Sequence, residues 1–184
     1  MGRAALLLML GLGFCEGPEI PDYDRGAFSG WIDEDGDCQR TRAELMIARS
    51  SGPVTLSADG CRAIRGTWRD PYSGEVHSEA EEVQIDHLVP LKWAWMHGAH
   101  GWSAAERDRF ALDPDNLRIV GGGLNAAKGA KDPLDWLPPR AAAQCGYLRG
   151  FEGIVARYRL EVDAAWAEAM SRTRLRVCSG DGAA

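Results

Sequence analysis

The residues best suited to chemistry lie between positions 83 and 131: Asp86, His87, Asn116, Asn125 and Lys128. Hydrolysis of a phosphodiester needs an activated water and neutralisation of the charge on the phosphoryl oxygens. A hard divalent cation such as Mg²⁺ binds one or two protein oxygens together with phosphate and water. The Asp86 carboxylate and the Asn125 amide carbonyl are oxygens of that kind. His87, with an unperturbed pKa of about 6.5, is the candidate general base.

Asn116 and Lys128 are candidates to support this chemistry. Asn116 can tie down the loop beside the imidazole through side-chain to backbone hydrogen bonds, and Lys128 can meet a phosphate oxygen. Taken singly, each residue has a simpler interpretation: Asp86-His87 as a turn-capping pair, Asn116 as a turn residue and Lys128 as a solvated helix lysine. Their joint order, with proline and glycine between them, favours the catalytic interpretation.

Two predicted strands and a helix must position these residues. An apolar run from position 83 to 91 is interrupted by Asp86-His87 and ended by Pro90. A second short apolar strand follows Asn116, and three glycines then turn the chain into a polar helix. Neighbouring side chains of a strand point to opposite faces. Asp86 and His87 can therefore meet at one centre only where the strand bends or ends.

This pattern resembles the ββα-metal motif of HNH nucleases, in the variant whose third letter is Asn. The matching residues are Asp86-His87 with Pro90, then Asn116, then Asn125 with Lys128-Gly129. The likeness extends to CRAIRGTWRDPYSGEVH, AWMHGAHGW, RFALDPDNL, DPLDWLPP and the two late cysteines. These segments resemble the C-terminal nuclease domain of GmrSD-type restriction enzymes and its free-standing secreted relatives, from about position 21 to 178.

The resemblance implies an α+β fold with a ββα-metal (HNH or His-Me finger) core, a small antiparallel hairpin, bracing helices and disulfides. It implies a metal-dependent endonuclease that cleaves DNA, with RNA as a further substrate, and leaves a 5′-phosphate and a 3′-hydroxyl. One divalent ion is expected on Asp86 and Asn125, with Mg²⁺ as the first choice and Mn²⁺ as the alternative. His87, Asn116 and Lys128 are the expected catalytic residues. Because no base-reading helix or dimer signature is present, we expect low sequence specificity and a monomer without a stable protein partner.

Other functions and metal sites were weighed against this one. A catalytically silent extracellular binding module could keep the fold, and a metal-dependent enzyme could act on another phosphodiester. His97 and His100 bracket a Gly-Ala turn, but no zinc-ligand spacing accompanies them. The acidic run at positions 33–37 alternates as in a calcium loop, yet Cys38 stands where that loop needs glycine. An acidic turn before a helix is the simpler interpretation.

The composition suits one exported domain with its own core. The chain has 184 residues, of which 45% are hydrophobic. Positions 1–15 have the features of a secretion signal, too short to span a bilayer, although no Ala-x-Ala marks the cleavage site. A lipid anchor at Cys15 is disfavoured because Phe14 precedes it. The remaining single domain, 16–184, then contains the metal motif at 83–131 and a helical brace at 141–178.

Four cysteines remain after removal of the signal, an even number that fits an oxidising compartment and permits three pairings. We favour Cys38–Cys61 and Cys145–Cys178. Each pair brackets one local unit, and the relatives in the resembled family pair their cysteines by segment.

The net charge of −6 is unusual for a protein that binds nucleic acid, because phosphate contacts favour a basic face. A metal ion would supply positive charge at the scissile phosphate. Arginines cluster at positions 40–69 and 149–176. They predict one basic rim beside an acidic remainder.

Local patterns predict further elements around the motif. One capping box predicts a helix from Thr41 to Arg49, and a second predicts a helix that begins at Ser103. The DPYSG turn at positions 70–74 joins strands of a small antiparallel hairpin that includes Cys61. Two amphipathic helices follow the motif, and the tryptophans after the first strand are expected in the core.

Overall fold

The computed structural model describes residues 19–179, so the predicted secretion signal and Cys15 lie outside the described residues. The fold is mixed α+β. One antiparallel sheet contains β1 (Thr55–Leu56), β2 (Ala63–Arg69) and β3 (Val76–Glu79) in that order, and a second pairs β4 (Val83–His87) with β5 (Leu117–Gly121). The helices are α1 (Thr41–Ala48), α2 (Leu91–Met96), α3 (Ala104–Ala111), α4 (Gly122–Lys128), α5 (Ala141–Arg157) and α6 (Ala164–Cys178). Among residues 19–179, no helix combines the length and the apolar character needed to cross a membrane.

The turn at positions 70–74 forms as predicted and joins β2 to β3. The Asp70 carboxylate accepts a hydrogen bond from the Tyr72 N–H at 2.6 Å, and the Asp70 carbonyl accepts one from the Gly74 N–H at 2.8 Å. Gly74 has a φ of 83°, a left-handed conformation that glycine adopts at little cost. The antiparallel hairpin is thus present, with β1 as a third strand, and Cys61 lies just before β2.

The helix predicted from Thr41 is present as α1, but its predicted capping box is wrong. Arg40 is the N-cap residue and makes no side-chain cap bond. The Thr41 hydroxyl instead accepts from the Ile32 N–H at 3.2 Å and donates to the Ile32 carbonyl at 3.1 Å. A contact with the preceding loop therefore uses the hydroxyl that the local pattern assigned to the helix. The second box is confirmed, because Ser103 and Glu106 cap each other's backbone N–H.

The pair of strands β4 and β5 lies between two hydrophobic cores. The smaller core includes residues from α1, β2 and one face of the pair: Met46, Trp68, Val83, Ile85, Leu117 and Ile119. The larger core includes residues from α2, α3, α5 and the other face: Trp93, Trp95, Phe110, Val120 and Phe151. The two tryptophans after β4 are buried, as predicted. Packing on both faces constrains the candidate site residues that this strand pair carries.

The predicted C-terminal helices are present as α5 and α6, and the favoured cysteine pairing is confirmed. Cys38–Cys61 connects the loop before α1 to the segment before β2, and Cys145–Cys178 connects the first half of α5 to the end of α6. In the loop-entropy model each bridge stabilises the fold by about 3–4 kcal/mol. The helices therefore form a cross-linked brace beside the larger core.

Candidate active site

The strands β4 and β5 pair along their whole length and lead directly into α4. Asp86 lies opposite Arg118 in the antiparallel register. α4 begins at the residue after β5 ends, and the Gly122 N–H donates to the Glu82 carbonyl at 3.1 Å. The short connection keeps α4 against the strand pair, next to the candidate residues of β4.

Side chains of β4 alternate between the two faces of the strand pair. Gln84 and Asp86 point toward α4 and contact its side chains. His87 lies on the opposite face, where its ring is parallel to that of Trp31 at a centroid distance of 5.9 Å. The ammonium of Lys128 donates to Asp86 Oδ1 at 2.9 Å and to the backbone carbonyl of His87 at 2.7 Å.

The Asp86 carboxylate is buried, and both of its oxygens accept hydrogen bonds. Lys128 contacts Oδ1, and the Tyr72 hydroxyl donates to Oδ2 at 2.6 Å. The exposed fraction is 5% for Asp86 and 0% for Lys128. Burial raises the pKa of Asp86 and lowers the pKa of Lys128 because both charged forms lose hydration, and their mutual contact opposes both shifts. Either group alone would be an uncompensated buried charge, so the pair is stable only as a unit.

The imidazole of His87 is half-buried and has a defined hydrogen-bond partner. Its Nε2 lies 2.8 Å from the Ala111 carbonyl oxygen. A carbonyl only accepts, so the neutral ring has its proton on Nε2 and its lone pair on Nδ1. Burial lowers the pKa of His87 to about 4. The ring is therefore neutral at pH 7, and Nδ1 can accept a proton.

The two candidate asparagines have different surroundings. Asn116 is fully buried; its side chain accepts from the Val89 N–H at 2.8 Å and donates to the Val89 carbonyl at 3.3 Å. Its backbone carbonyl accepts from the Leu88 N–H at 2.7 Å, so Asn116 holds the segment after β4 at three points. Asn125 is half-buried on α4 and donates its amide N–H to Gln84 Oε1 at 2.7 Å. This bond orients the Asn125 amide, whose carbonyl oxygen is its atom for a ligand.

The structure therefore brings Lys128 against the Asp86 side chain and places Asn125 one turn before Lys128 on α4. The His87 imidazole does not meet them, because β4 stays regular through His87 and the ring lies on the opposite face. Sequence reasoning missed Tyr72, which lies within the DPYSG turn. Its local signal indicated only a turn. Tyr72 lies beside the Asp86 carboxylate because β4, which comes later in the chain, packs against this turn.

The oxygen donors of the site suit a divalent cation. Asp86 and Asn125 both lie on the α4 side of β4 and offer a carboxylate and an amide carbonyl, which Mg²⁺ and Mn²⁺ accept. The donor chemistry thus fits the expected ion. The Lys128 ammonium already contacts Oδ1 of the carboxylate, so an ion at this oxygen would compete with an existing cation.

The other residues weighed as metal ligands have structural contacts. His97 stacks on Trp93 at a centroid distance of 3.6 Å, and its Nδ1 lies 2.6 Å from the Trp93 carbonyl. His100 Nδ1 lies 2.9 Å from the Trp95 carbonyl. In the described part of the chain, one exposed group of three acidic side chains is close enough to share an ion: Asp33, Asp35 and Asp37. Their carboxylates accept backbone N–H groups of their own loop, as expected of an acidic turn.

Two arginines lie near the candidate residues in addition to Lys128. Arg118 is opposite the carboxylate on β5, and Arg25 is close enough to His87 to contribute to the lowering of its pKa. Two arginines from the cluster expected to form a basic rim have internal roles instead. Arg42 and Arg49 donate to backbone carbonyls inside the fold. Positive charge near the candidate residues therefore comes from individual side chains and not from the full arginine cluster.

One comparison with known proteins identifies the family, and a second finds a relative of similar length. The family model described as GmrSD restriction endonucleases, C-terminal domain, matches residues 53–173, which include every candidate site residue. An uncharacterized secreted protein of Arthroderma benhamiae is 34% identical over 165 residues, which cover 89% of this chain and 78% of that protein. No solved structure matches the chain. The chain belongs to the family of GmrSD restriction endonuclease C-terminal domains.

Proposed function

We propose that the protein is a secreted, metal-dependent HNH endonuclease that hydrolyses phosphodiester bonds in DNA, with RNA as the alternative substrate, and has low sequence specificity. The observation that carries the proposal is the buried pair of Asp86 and Lys128 beside Asn125, at the point where β4 ends at His87. The order of two antiparallel strands and a helix, β4, β5 and α4, supports the proposed ββα-metal core. Secretion is supported by the two disulfides and by the secreted fungal relative.

His87 is the general base of the proposed reaction. Its Nε2 is held by the Ala111 carbonyl, and its Nδ1 lone pair takes a proton from the attacking water. Burial lowers the pKa of His87 to about 4, so at pH 7 the ring is in the neutral form that a general base needs, while the lowered pKa also makes it a weaker base. Asn116 keeps the backbone after His87 in place through its bonds to Leu88 and Val89.

Asp86 and Asn125 are the residues that hold the divalent ion. When bound, the ion acts as a Lewis acid that neutralises charge on the phosphoryl oxygens and on the leaving oxygen. Tyr72 orients the carboxylate and Gln84 orients the amide, so each proposed ligand has its own positioning residue.

Plasmid cleavage by the oxidised mature protein tests this function. We expect nicking with Mg²⁺ or Mn²⁺ that stops with EDTA, and a loss of about a hundredfold or more in His87→Ala and Asn125→Ala. His100→Ala is the matched control, because this histidine lies outside the site, and it should cleave normally. A folded wild-type protein that binds the ion and cuts no nucleic acid would contradict the proposal. Assays on DNA, RNA and small phosphodiesters would then separate a silent binding module from an enzyme with another substrate.

A further inference from the structure

Lys128 is an unusual residue for the end of a seven-residue helix, because its side chain is completely buried. Its ammonium donates to Asp86 Oδ1 at 2.9 Å and to the His87 carbonyl at 2.7 Å. The next lysine, Lys131, shows the usual arrangement: it is exposed, and its ammonium donates to the Ala127 carbonyl at 2.9 Å. The burial of Lys128 is therefore specific to its position beside Asp86.

The ammonium provides the positive charge that allows Asp86 to be buried as a carboxylate. Loss of hydration disfavours both charged groups, and the charge of Lys128 is the largest influence that offsets this penalty for Asp86, ahead of the Tyr72 hydrogen bond and the charge of Arg118. Tyr72 donates to the second carboxylate oxygen but carries no charge. Any other cation that binds Asp86 would supply the same neutralisation.

A divalent ion and the ammonium are poorly compatible as simultaneous partners of one buried carboxylate. They would place a charge of +3 beside a charge of −1, and repulsion over a few ångströms is strong in a poorly solvated site. We propose that Lys128 and the catalytic divalent ion are alternative partners of Asp86, so that ion binding displaces the ammonium toward the substrate. This inference rests on the proposed function.

The backbone beside Lys128 allows this exchange. Lys128 is the last residue of α4, and Gly129, with a φ of 53°, ends the helix immediately after it. Gly129 and Ala130 are exposed, so solvent lies close to the end of the helix. A long, flexible side chain at this position can leave the carboxylate by rotation of its own bonds. Asn125, the other proposed ligand, lies one turn earlier, so the released ammonium stays near the phosphate that the ion would bind.

Binding of Mn²⁺ to the oxidised mature protein, measured by calorimetry at pH 8, tests the exchange without an activity assay. Lys128→Met should bind Mn²⁺ between about 5-fold and 150-fold more tightly than wild type, the usual range of coupling between two ligands. It should also gain more thermal stability from Mn²⁺. Lys131→Met is the matched control and should bind as wild type does. Equal affinity in all three proteins would overturn the exchange.

A second measurement uses the wild-type protein, in case Lys128→Met does not fold. Reductive methylation, followed by mass spectrometry, reports which lysines are accessible. We expect Lys128 to be protected in EDTA and to be modified with saturating Mn²⁺, while the exposed residues Lys92 and Lys131 react in both conditions. Continued protection of Lys128 at saturating Mn²⁺ would overturn the exchange. Plasmid cleavage by the same sample tests the proposed function separately. If the protein cleaves DNA while Lys128 stays protected, the exchange is wrong and the proposed function stands.

Discussion

The Tyr72 hydroxyl donates a 2.6 Å hydrogen bond to Oδ2 of Asp86, 14 positions later in the chain. Both side chains are buried, so no water is available to replace this bond. The tyrosine holds the carboxylate from one side while Lys128 holds it from the other.

Substitution of Tyr72 by Phe should therefore destabilise the protein by about 1–3 kcal/mol, because a buried carboxylate oxygen loses its donor. It should also slow cleavage, because Asp86 is less well oriented. Tyr147→Phe is the matched control: the Tyr147 hydroxyl is buried with no hydrogen-bond partner in the described part of the chain, so its removal should be nearly neutral. Urea unfolding of both variants checks the comparison, and equal losses of stability would contradict it.

Asn116→Ala and Asn125→Ala should separate structural support from ligand binding. Asn116→Ala leaves the N–H and carbonyl of Val89 unpaired in the core and should cost about 1–3 kcal/mol of unfolding free energy. Asn125 is half-buried near the surface of α4, so Asn125→Ala should change stability by less than about 0.5 kcal/mol. Both should lose cleavage activity. A stable, fully active Asn116→Ala protein would show that the segment after β4 needs no such support.

Gly66→Ala should destabilise the protein by about 1–3 kcal/mol through overpacking. A Cβ at position 66 would lie 2.5 Å from the Trp68 ring, and Trp68 is fixed by burial and by a 2.8 Å bond from its indole N–H to the Met46 carbonyl. Gly146→Ala is the contrast, because Gly146 lies on the exposed face of α5 with no atom within 4 Å of its Cβ position. It should stabilise by about 0.5–1 kcal/mol. Thermal unfolding checks both, because the midpoint temperature should fall in Gly66→Ala and rise in Gly146→Ala.

Removal of the bridge between α5 and α6 should reduce stability more than activity. Cys145→Ala/Cys178→Ala is expected to lose about 3–4 kcal/mol, because the bridge closes a long loop in the unfolded chain. Plasmid cleavage at a temperature well below the new midpoint should be preserved, since the bridge lies outside the site. A variant that stays fully folded yet inactive would show that the brace acts on the catalytic residues.

Local sequence patterns predicted the elements whose causes are local. The box at Ser103, the turn at positions 70–74 and the amphipathic helices α5 and α6 depend on residues within a few positions of one another. The predicted capping box at Thr41 was wrong because the actual partner of its hydroxyl is not local. Ile32 is nine positions away, and its contact with the hydroxyl has no short-range signature.

At the candidate site, too, local sequence and tertiary structure determined different features. Sequence alone determined which side chains can do chemistry, and strand alternation already required Asp86 and His87 to diverge unless the strand bent. Only the tertiary structure decided that Lys128 is buried against Asp86, that Tyr72 holds the carboxylate and that Ala111 holds the imidazole. Those partners lie 14 to 42 positions away along the chain. The packing of strands and helices decides which polar groups meet. A buried charge is stable only with a partner, and at this site the partners come from distant parts of the chain.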